Sequence, residues 1–347
     1  MNIAITSFYL PSESKIGVGY MVHYLANALV ERGHTVTVFS ACRACEDARY
    51  TSVCVPCGRR RRTFRFAWNL RHIDFTRFDV LNAHGDDWFL WGRPLPRHVH
   101  TYHGACLAEM LHATSLPVRA RMGALALCEL GSTFLAGERV AVSEATRRWL
   151  PRIGSVIPNG IDPSLFTPGC EPKSERPSIL FVGTLFGRKR GAFLMDLFQR
   201  EIRPALPDAE LWAVCEDRVE GCGVRGFGRV PTERLVELYR RAWVFCLPST
   251  YEGFGVPYLE AMACGTPVVA TPNPGACEVT CEGRCGWIAP EAGLGFALLR
   301  VLSEPGLRQS MREAGLRRAR DFTWDAVCRR YERLYQPDAS PGEEVHS

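Results

Sequence analysis

Residues 249–269 read Ser249-Thr-Tyr-Glu252-Gly-Phe-Gly-Val-Pro-Tyr-Leu-Glu260-Ala-Met-Ala-Cys-Gly-Thr-Pro-Val-Val269, after an apolar run that ends at Leu247. This is a strand, then a polar turn rich in glycine, then a helix. Pro257 falls in the first turn of that helix, where its missing N–H costs nothing. Glu252 lies before the helix and Glu260 about one turn inside it. The backbone amides of Gly253, Phe254, Gly255 and Val256 are those a helix start leaves without partners, and such a start favours anions. Two carboxylates beside an anion site suit a ligand with hydroxyls as well as phosphate, because a carboxylate accepts hydrogen bonds from sugar hydroxyls. For an isolated pair the plainer reading is preferred: Glu252 complements the helix dipole and Glu260 sits on a solvated face.

The surroundings change that weighting. Residues 181–191 read Phe181-Val-Gly183-Thr-Leu-Phe-Gly187-Arg188-Lys189-Arg190-Gly191. A strand runs into a glycine turn, and three cations open the next helix. Cations are unfavourable there unless an anion joins them. A diphosphate would satisfy them, with arginine binding two oxygens at once. A solvated basic turn is the alternative.

Outward from these stretches, short apolar runs alternate with amphipathic ones. Strands are predicted at residues 3–8, 36–39, 79–82, 99–102 and 139–142, and the first helix over 17–32, with Val22, Leu25, Ala26, Leu29 and Val30 on one face. Residues 163–177 hold Pro163, Pro168, Pro172 and Pro177 and no periodicity, which marks a linker. The pattern restarts with strands at 179–182, 211–215, 243–247 and 267–270 and helices at 189–198, 232–241 and 256–264. Repeated strand–helix–strand units imply parallel sheets covered by helices, so the fold class is α/β. The predicted parts are an N-terminal domain (1–163), a linker (164–177), a C-terminal domain (178–322), a final helix (323–336) and a disordered polar tail (337–347).

The two stretches together resemble the retaining GT-B glycosyltransferases of family 4. Glu252-Gly-Phe-Gly-Val-Pro-Tyr-Leu-Glu260 is similar to that family's E-x7-E signature, and Val182-Gly-Thr-Leu-Phe-Gly-Arg-Lys189 to its phosphate-binding turn. Arg32-Gly-His-Thr-Val-Thr-Val, Thr101-Tyr-His103-Gly, Val140-Ala-Val-Ser-Glu, Val156-Ile-Pro-Asn-Gly-Ile-Asp162 and Thr323-Trp324 extend the resemblance over nearly the whole chain. It implies two Rossmann-like domains facing across a cleft, with a C-terminal helix crossing back to the first. It assigns catalysis to His103, Arg188, Lys189 and Glu252. Donor binding falls to Gly17, Gly183, Arg229, Val230, Gly253, Phe254, Gly255 and Glu260, with Glu260 on the ribose. The implied reaction moves a hexose-type sugar from a nucleotide-diphosphate sugar to an acceptor hydroxyl, with retention. It needs no cofactor and no metal, since Arg188 and Lys189 do what a metal does elsewhere. Three features depart from the pattern: Val18 separates Gly17 from Gly19, Thr184 stands where many members carry arginine, and Pro274-Gly-Ala-Cys277-Glu278, which resembles the family's turn ending in glutamate, is followed by Cys281 and Cys285. A nucleotide-sugar epimerase or hydrolase of the same shape is the alternative.

A net charge of +5 is too small and too spread for a nucleic-acid partner. No apolar run reaches the ~18 residues of a spanning helix. The strand-like first residues give no leader, so a cytoplasmic location is expected, with peripheral attachment at the inner membrane face left open. Arg59–Arg62 with Phe64, Phe66 and Trp68 fits contact with anionic lipid or an acidic acceptor, though a solvated loop leading into a helix is the preferred reading. Fifteen cysteines include Cys42, Cys45, Cys54 and Cys57, two pairs with zinc-like spacing but a short gap; incidental thiols are preferred. Cys277, Cys281 and Cys285 match no cluster spacing and are read as loop. Asp86, beside Asp87 and His84, is an acceptor candidate, and His23 is read as packing. A nicotinamide enzyme is disfavoured because position 22 is Val where G-x-G-x-x-G needs its third glycine.

Overall fold

The structure is a computed structural model of the chain and describes residues 1–12, 17–59, 61–113, 115–135 and 137–336. Two units emerge. The first comprises Met1–Cys106, Ala124–Gly160 and the described residues from Trp324; the second comprises Leu107–Gly123 and Ile161–Thr323. The N-terminal domain therefore ends three residues earlier than expected and yields residues 107–123 to unit 2. The expected tail, 337–347, lies outside the described residues.

In unit 1 the strands are β1 (Asn2–Ser7), β2 (Thr35–Ser40), β3 (Thr51–Cys54), β4 (Val80–Ala83), β5 (Arg97–Tyr102), β6 (Glu138–Ala141) and β7 (Ser155–Val156). Its helices are α1 (Gly17–Glu31), α2 (Arg62–Asn69) and α5 (Glu144–Trp149), while α3 (Cys106–His112) and α4 (Leu116–Ser132) are divided between the two units. Among the described residues the strands form one parallel sheet in the order β3-β2-β1-β4-β5-β6-β7. Phe8, Phe39, Phe66, Phe75 and Leu81 fill the core on one side of it.

Unit 2 has β8 (Ser178–Val182), β9 (Glu210–Val214), β10 (Val224–Gly226), β11 (Val244–Leu247), β12 (Val268–Ala270) and β13 (Trp287–Ile288). Its helices are α6 (Gly191–Leu197), α7 (Arg203–Ala205), α8 (Thr232–Arg241), α9 (Val256–Ala263), α10 (Pro274–Val279), α11 (Glu291–Ser303) and α12 (Pro305–Ala319). Its parallel sheet runs β10-β9-β8-β11-β12-β13, the same doubly wound plan. Strands β9 and β11 are buried throughout, as expected where helices cover both faces. In such sheets ligands bind beyond the carboxyl ends of the strands where the winding reverses. In unit 2 that point lies between β8 and β11.

The expected linker is part of unit 2. Lys173 donates to the Ala242 carbonyl at 2.7 Å, Trp243 Nε1 donates to the Ser174 carbonyl at 2.7 Å, and Arg240 holds the Thr167 carbonyl at 2.8 Å. Prolines remove periodicity without removing anchors, so composition alone could not show this.

The last helix, α13 (Trp324–Tyr335), belongs to unit 1. It packs on α1 and β5 and buries Trp324, Val327, Cys328, Tyr331 and Tyr335. Asn82 donates to the Tyr335 hydroxyl at 2.7 Å, and Tyr331 meets Thr101 at 3.1 Å. No helix among the described residues is long and apolar enough to cross a membrane.

Candidate active site

The loop that follows β11 carries Glu252, and the 3-10 turn Gly187–Lys189 that follows β8 carries Arg188 and Lys189. The reversal of the sheet winding brings them together. Glu252 is 5% exposed. Its Oε1 lies 2.7 Å from Arg188 Nη1 and 2.9 Å from Lys189 Nζ, and it accepts from Ser249 Oγ at 2.8 Å. The Arg188 guanidinium also donates to the Tyr251 carbonyl at 2.9 Å, and the Thr250 N–H donates to the Arg188 carbonyl at 2.9 Å. Cationic turn and carboxylate loop are thus stitched side chain to side chain and backbone to backbone.

Burial alone would raise the Glu252 carboxyl, but Lys189 and Arg188 outweigh it and hold the group below its ordinary value. Burial depresses the Lys189 ammonium, and Glu252 only partly offsets this. Arg188 is pushed down by burial and more than restored by Glu252, ending above its ordinary value.

Glycines fix the backbone here. Gly255 has φ +92°, a left-handed conformation, and opens α9. A Cβ on Gly275 would lie 2.7 Å from the Phe254 backbone and 2.9 Å from Glu252 Cβ. Gly275 sits in α10, whose N-cap Asn273 accepts from the Ala276 N–H at 2.9 Å. The Asn273 amide also donates to the Ser249 carbonyl (3.2 Å) and to Tyr258 Oη (3.0 Å), while Thr271 donates to that same carbonyl at 2.8 Å. These braces were missed in the sequence. Asn-Pro-Gly at 273–275 signals a helix start, but nothing local says that it grips a loop more than twenty residues earlier.

Glu260 lies on α9 and accepts from Tyr239 Oη at 2.8 Å. Burial pushes its carboxyl up to about 7 against the pull of Tyr239 and Lys189. The amides of Gly253 and Gly255 flank Phe254, whose side chain is buried in edge-to-face contact with Phe322 at 5.7 Å. Phe254 can therefore offer a ligand only its backbone. A Cβ on Gly183 would fit tightly, meeting Phe181 Cζ at 3.1 Å and the Lys189 side chain at 3.2 Å, and these neighbours would have to yield by a few tenths of an ångström. Arg229 pairs with Glu216 before α8, and Val230 is half-buried beside it.

Unit 1 holds the remaining expected residues. His103 follows β5, and its Nε2 meets His84 Nδ1 at 2.7 Å. Burial, then the nearby His100, pushes His103 down to about 4, so it is neutral at pH 7. Asp86 is buried with φ +67°, and burial and Asp87 raise it to about 8. Asp87 Oδ2 lies 2.9 Å from His98 Nε2 and 2.8 Å from His100 Nδ1. Gly17 opens α1 with free space around its Cβ position among the described residues; the tight glycine is Gly19, where a Cβ would meet the Leu10 backbone at 3.2 Å.

The four thiols of the zinc-like spacing do not gather among the described residues. Cys45 instead joins His23 and Asp47, their ligand atoms within 4.8 Å of one another, while Cys54 is exposed. Of the basic run, Arg60 lies outside the described residues; Arg62 opens α2 over the Phe8 ring. Cys277, read as loop, lies in α10.

A doubly wound pair of units with a cation–carboxylate site at one reversal is the GT-B glycosyltransferase plan. Two family models match: Glycosyltransferase Family 4 over residues 16–165 and Glycosyl transferases group 1 over residues 218–318. The chain belongs to glycosyltransferase family 4. It is 30% identical over 233 residues to a phosphatidyl-myo-inositol mannosyltransferase of Mycobacterium tuberculosis, covering 60% of this chain and 61% of that one. It is 28% identical over 277 residues to a D-inositol 3-phosphate glycosyltransferase of Kribbella flavida, covering 69% and 64%. The chain thus spans a little over three fifths of these curated relatives, 61% and 64% of their lengths. Among solved structures, sucrose-phosphate synthase from Thermosynechococcus elongatus superposes with a TM-score of 0.80 at 22% identity, covering 96% of this chain and 98% of that one. HepE from Anabaena in complex with UDP-glucose gives 0.74 at 15% identity, with the same coverage.

Proposed function

We propose that this protein transfers a hexosyl group from a nucleotide-diphosphate sugar to an acceptor hydroxyl, with retention of configuration and without a metal. The observation that carries this reading is the Glu252 carboxylate set against Arg188 and Lys189 at the winding reversal of unit 2. Arg188 and Lys189 take the diphosphate and neutralise the charge that develops on it as the leaving group departs. Glu252 accepts hydrogen bonds from hydroxyls of the transferred sugar, beside the amides of residues 253–255. Glu260 accepts from the ribose. His103, neutral at pH 7, is the residue the family resemblance assigns to the sugar. The acceptor attacks on the face the phosphate leaves, and the departing phosphate takes the acceptor's proton. A retaining hydrolase would instead need two carboxyl groups flanking the scissile bond, one as nucleophile and one as acid–base. Here the site's carboxylate is tied to cations and kept ionised.

The relatives support the donor class. HepE is solved with UDP-glucose, and the mycobacterial relative is named a mannosyltransferase. Both curated relatives name an inositol group, which makes inositol phosphates and phosphatidylinositol the first acceptors to try. The test is incubation with UDP- and GDP-hexoses, with and without these acceptors, in chelator. Turnover only with acceptor, giving product of unchanged anomeric configuration, is the expected result. Epimerised or free sugar formed without acceptor would instead identify an epimerase or hydrolase. Lys189→Ala and Glu252→Ala should each lower turnover by about 10²–10³-fold.

A further inference from the structure

A cavity of ≈ 380 Å³ lies elsewhere in unit 2, and none of Arg188, Lys189, Glu252 or Glu260 lines it. Its walls come from residues 168–173, α8, the turn between α9 and β12, and α12. Pro305, Arg308, Gln309 and Arg312 reach it from α12, a spacing that places them on one face of the first turns of that helix. Four cations line the cavity, Lys173, Arg240, Arg308 and Arg312, against a single carboxylate, Glu171.

Three of these cations have structural tasks. Arg240 pairs with Glu171 at 3.1 Å. Arg308 lies over the Trp243 ring, 4.2 Å from its centroid, and donates to the carbonyls of Val301 and Leu302 at the end of α11. Lys173 donates to the Ala242 carbonyl and to Thr266 Oγ1. Arg312 makes no ion pair or hydrogen bond among the described residues. Four like charges thus face one carboxylate, and that carboxylate is already paired with Arg240, so an anion entering the cavity would meet an excess of positive charge. Burial, then Arg312 and Arg308, pushes Lys173 down to about 8. The N-terminus of α12 adds its positive dipole end to the same space.

We propose that this cavity binds a phosphorylated small molecule, its phosphate held by Arg312, Lys173 and Arg308 and its remainder filling the cavity. Guanidinium forks and an ammonium are the groups that recognise phosphate oxygens, and the volume is that of a small-ligand site rather than of a single ion. The inference is independent of the reading of the donor site.

The test is calorimetric titration of the whole chain at low salt with pyrophosphate, glucose 6-phosphate and AMP. Three variants accompany the wild type: Lys189→Ala, which disables the donor-site cation, Arg312→Ala and Arg312→Gln. Circular dichroism confirms the fold of each. The expected result is saturable binding of at least one organic phosphate, kept in Lys189→Ala and weakened at least tenfold in both Arg312 variants. Affinity should fall as pH rises past 8 and Lys173 loses its proton. Three results would overturn the proposal: no organic phosphate bound, pyrophosphate alone bound, or binding lost in Lys189→Ala but unchanged in the Arg312 variants.

Discussion

At the residue scale, the site divides its two carboxylates by environment. Glu252 touches two cations and a hydroxyl and stays ionised. Glu260 is half-buried against one tyrosine hydroxyl, and its carboxyl is pushed up to about 7. A carboxyl raised in the folded state binds more protons folded than unfolded, so its contribution to stability is lost as pH rises from the unfolded value through about 7. Glu260→Gln should therefore raise Tm at pH 8 relative to wild type and change it little at pH 4, read by calorimetry. If Glu260 grips the donor ribose as an anion, donor KM should fall as pH rises through 7 in the wild type. It should be flat with pH in Glu260→Gln. A pH-independent wild-type KM would remove Glu260 from that role.

At the element scale, the carboxylate loop is shaped by a helix that follows it in sequence. α10 presses its glycine against the Phe254 backbone and its cap against the Ser249 carbonyl. Gly275→Ala forces a Cβ into that contact, and overpacking of this kind costs about 1–3 kcal/mol. We expect a lower urea midpoint together with weakened nucleotide-sugar binding. Loss of stability with full binding would show that the loop tolerates the displacement. Asn273→Ala removes a cap worth ~1 kcal/mol and two braces of the loop, and should act in the same direction. The elements themselves were largely readable. Apolar runs of strand length marked β8, β9, β11 and β12, and 3.6-residue spacing marked α1, α8 and α13. The strands β3, β7, β10 and β13 were not, being short and poor in buried side chains. At a sheet edge little burial is required, so little pattern is written.

At the scale of the whole molecule, the chain returns to its first unit at Trp324. α13 buries five side chains against unit 1, and large apolar side chains are worth roughly 1.5–3 kcal/mol each when fully buried. Their sum is comparable with the ~5–15 kcal/mol stability of an ordinary domain. A chain ending at residue 323 should lose hydrogen-exchange protection in α1 and β5 while β8, β9 and β11 keep theirs. Retained protection in α1 would show that unit 1 stands without α13.

The Glu252-to-Glu260 stretch and the cationic turn at Arg188 and Lys189 determined by themselves that this is an α/β protein of glycosyltransferase type with a site after two strands. Local patterns suffice for that, because strand ends, helix starts and glycine turns are short-range features. Only the tertiary structure decided what the carboxylates do. The sequence spaces Glu252 and Glu260 alike as acids, but winding reversal sets Arg188 and Lys189 on the first and buries Tyr239 against the second. It likewise made the proline-rich segment a wall of unit 2 and gathered four cations around one cavity. Charge state and close approach depend on neighbours distant in sequence, and those are set when the sheet closes its core.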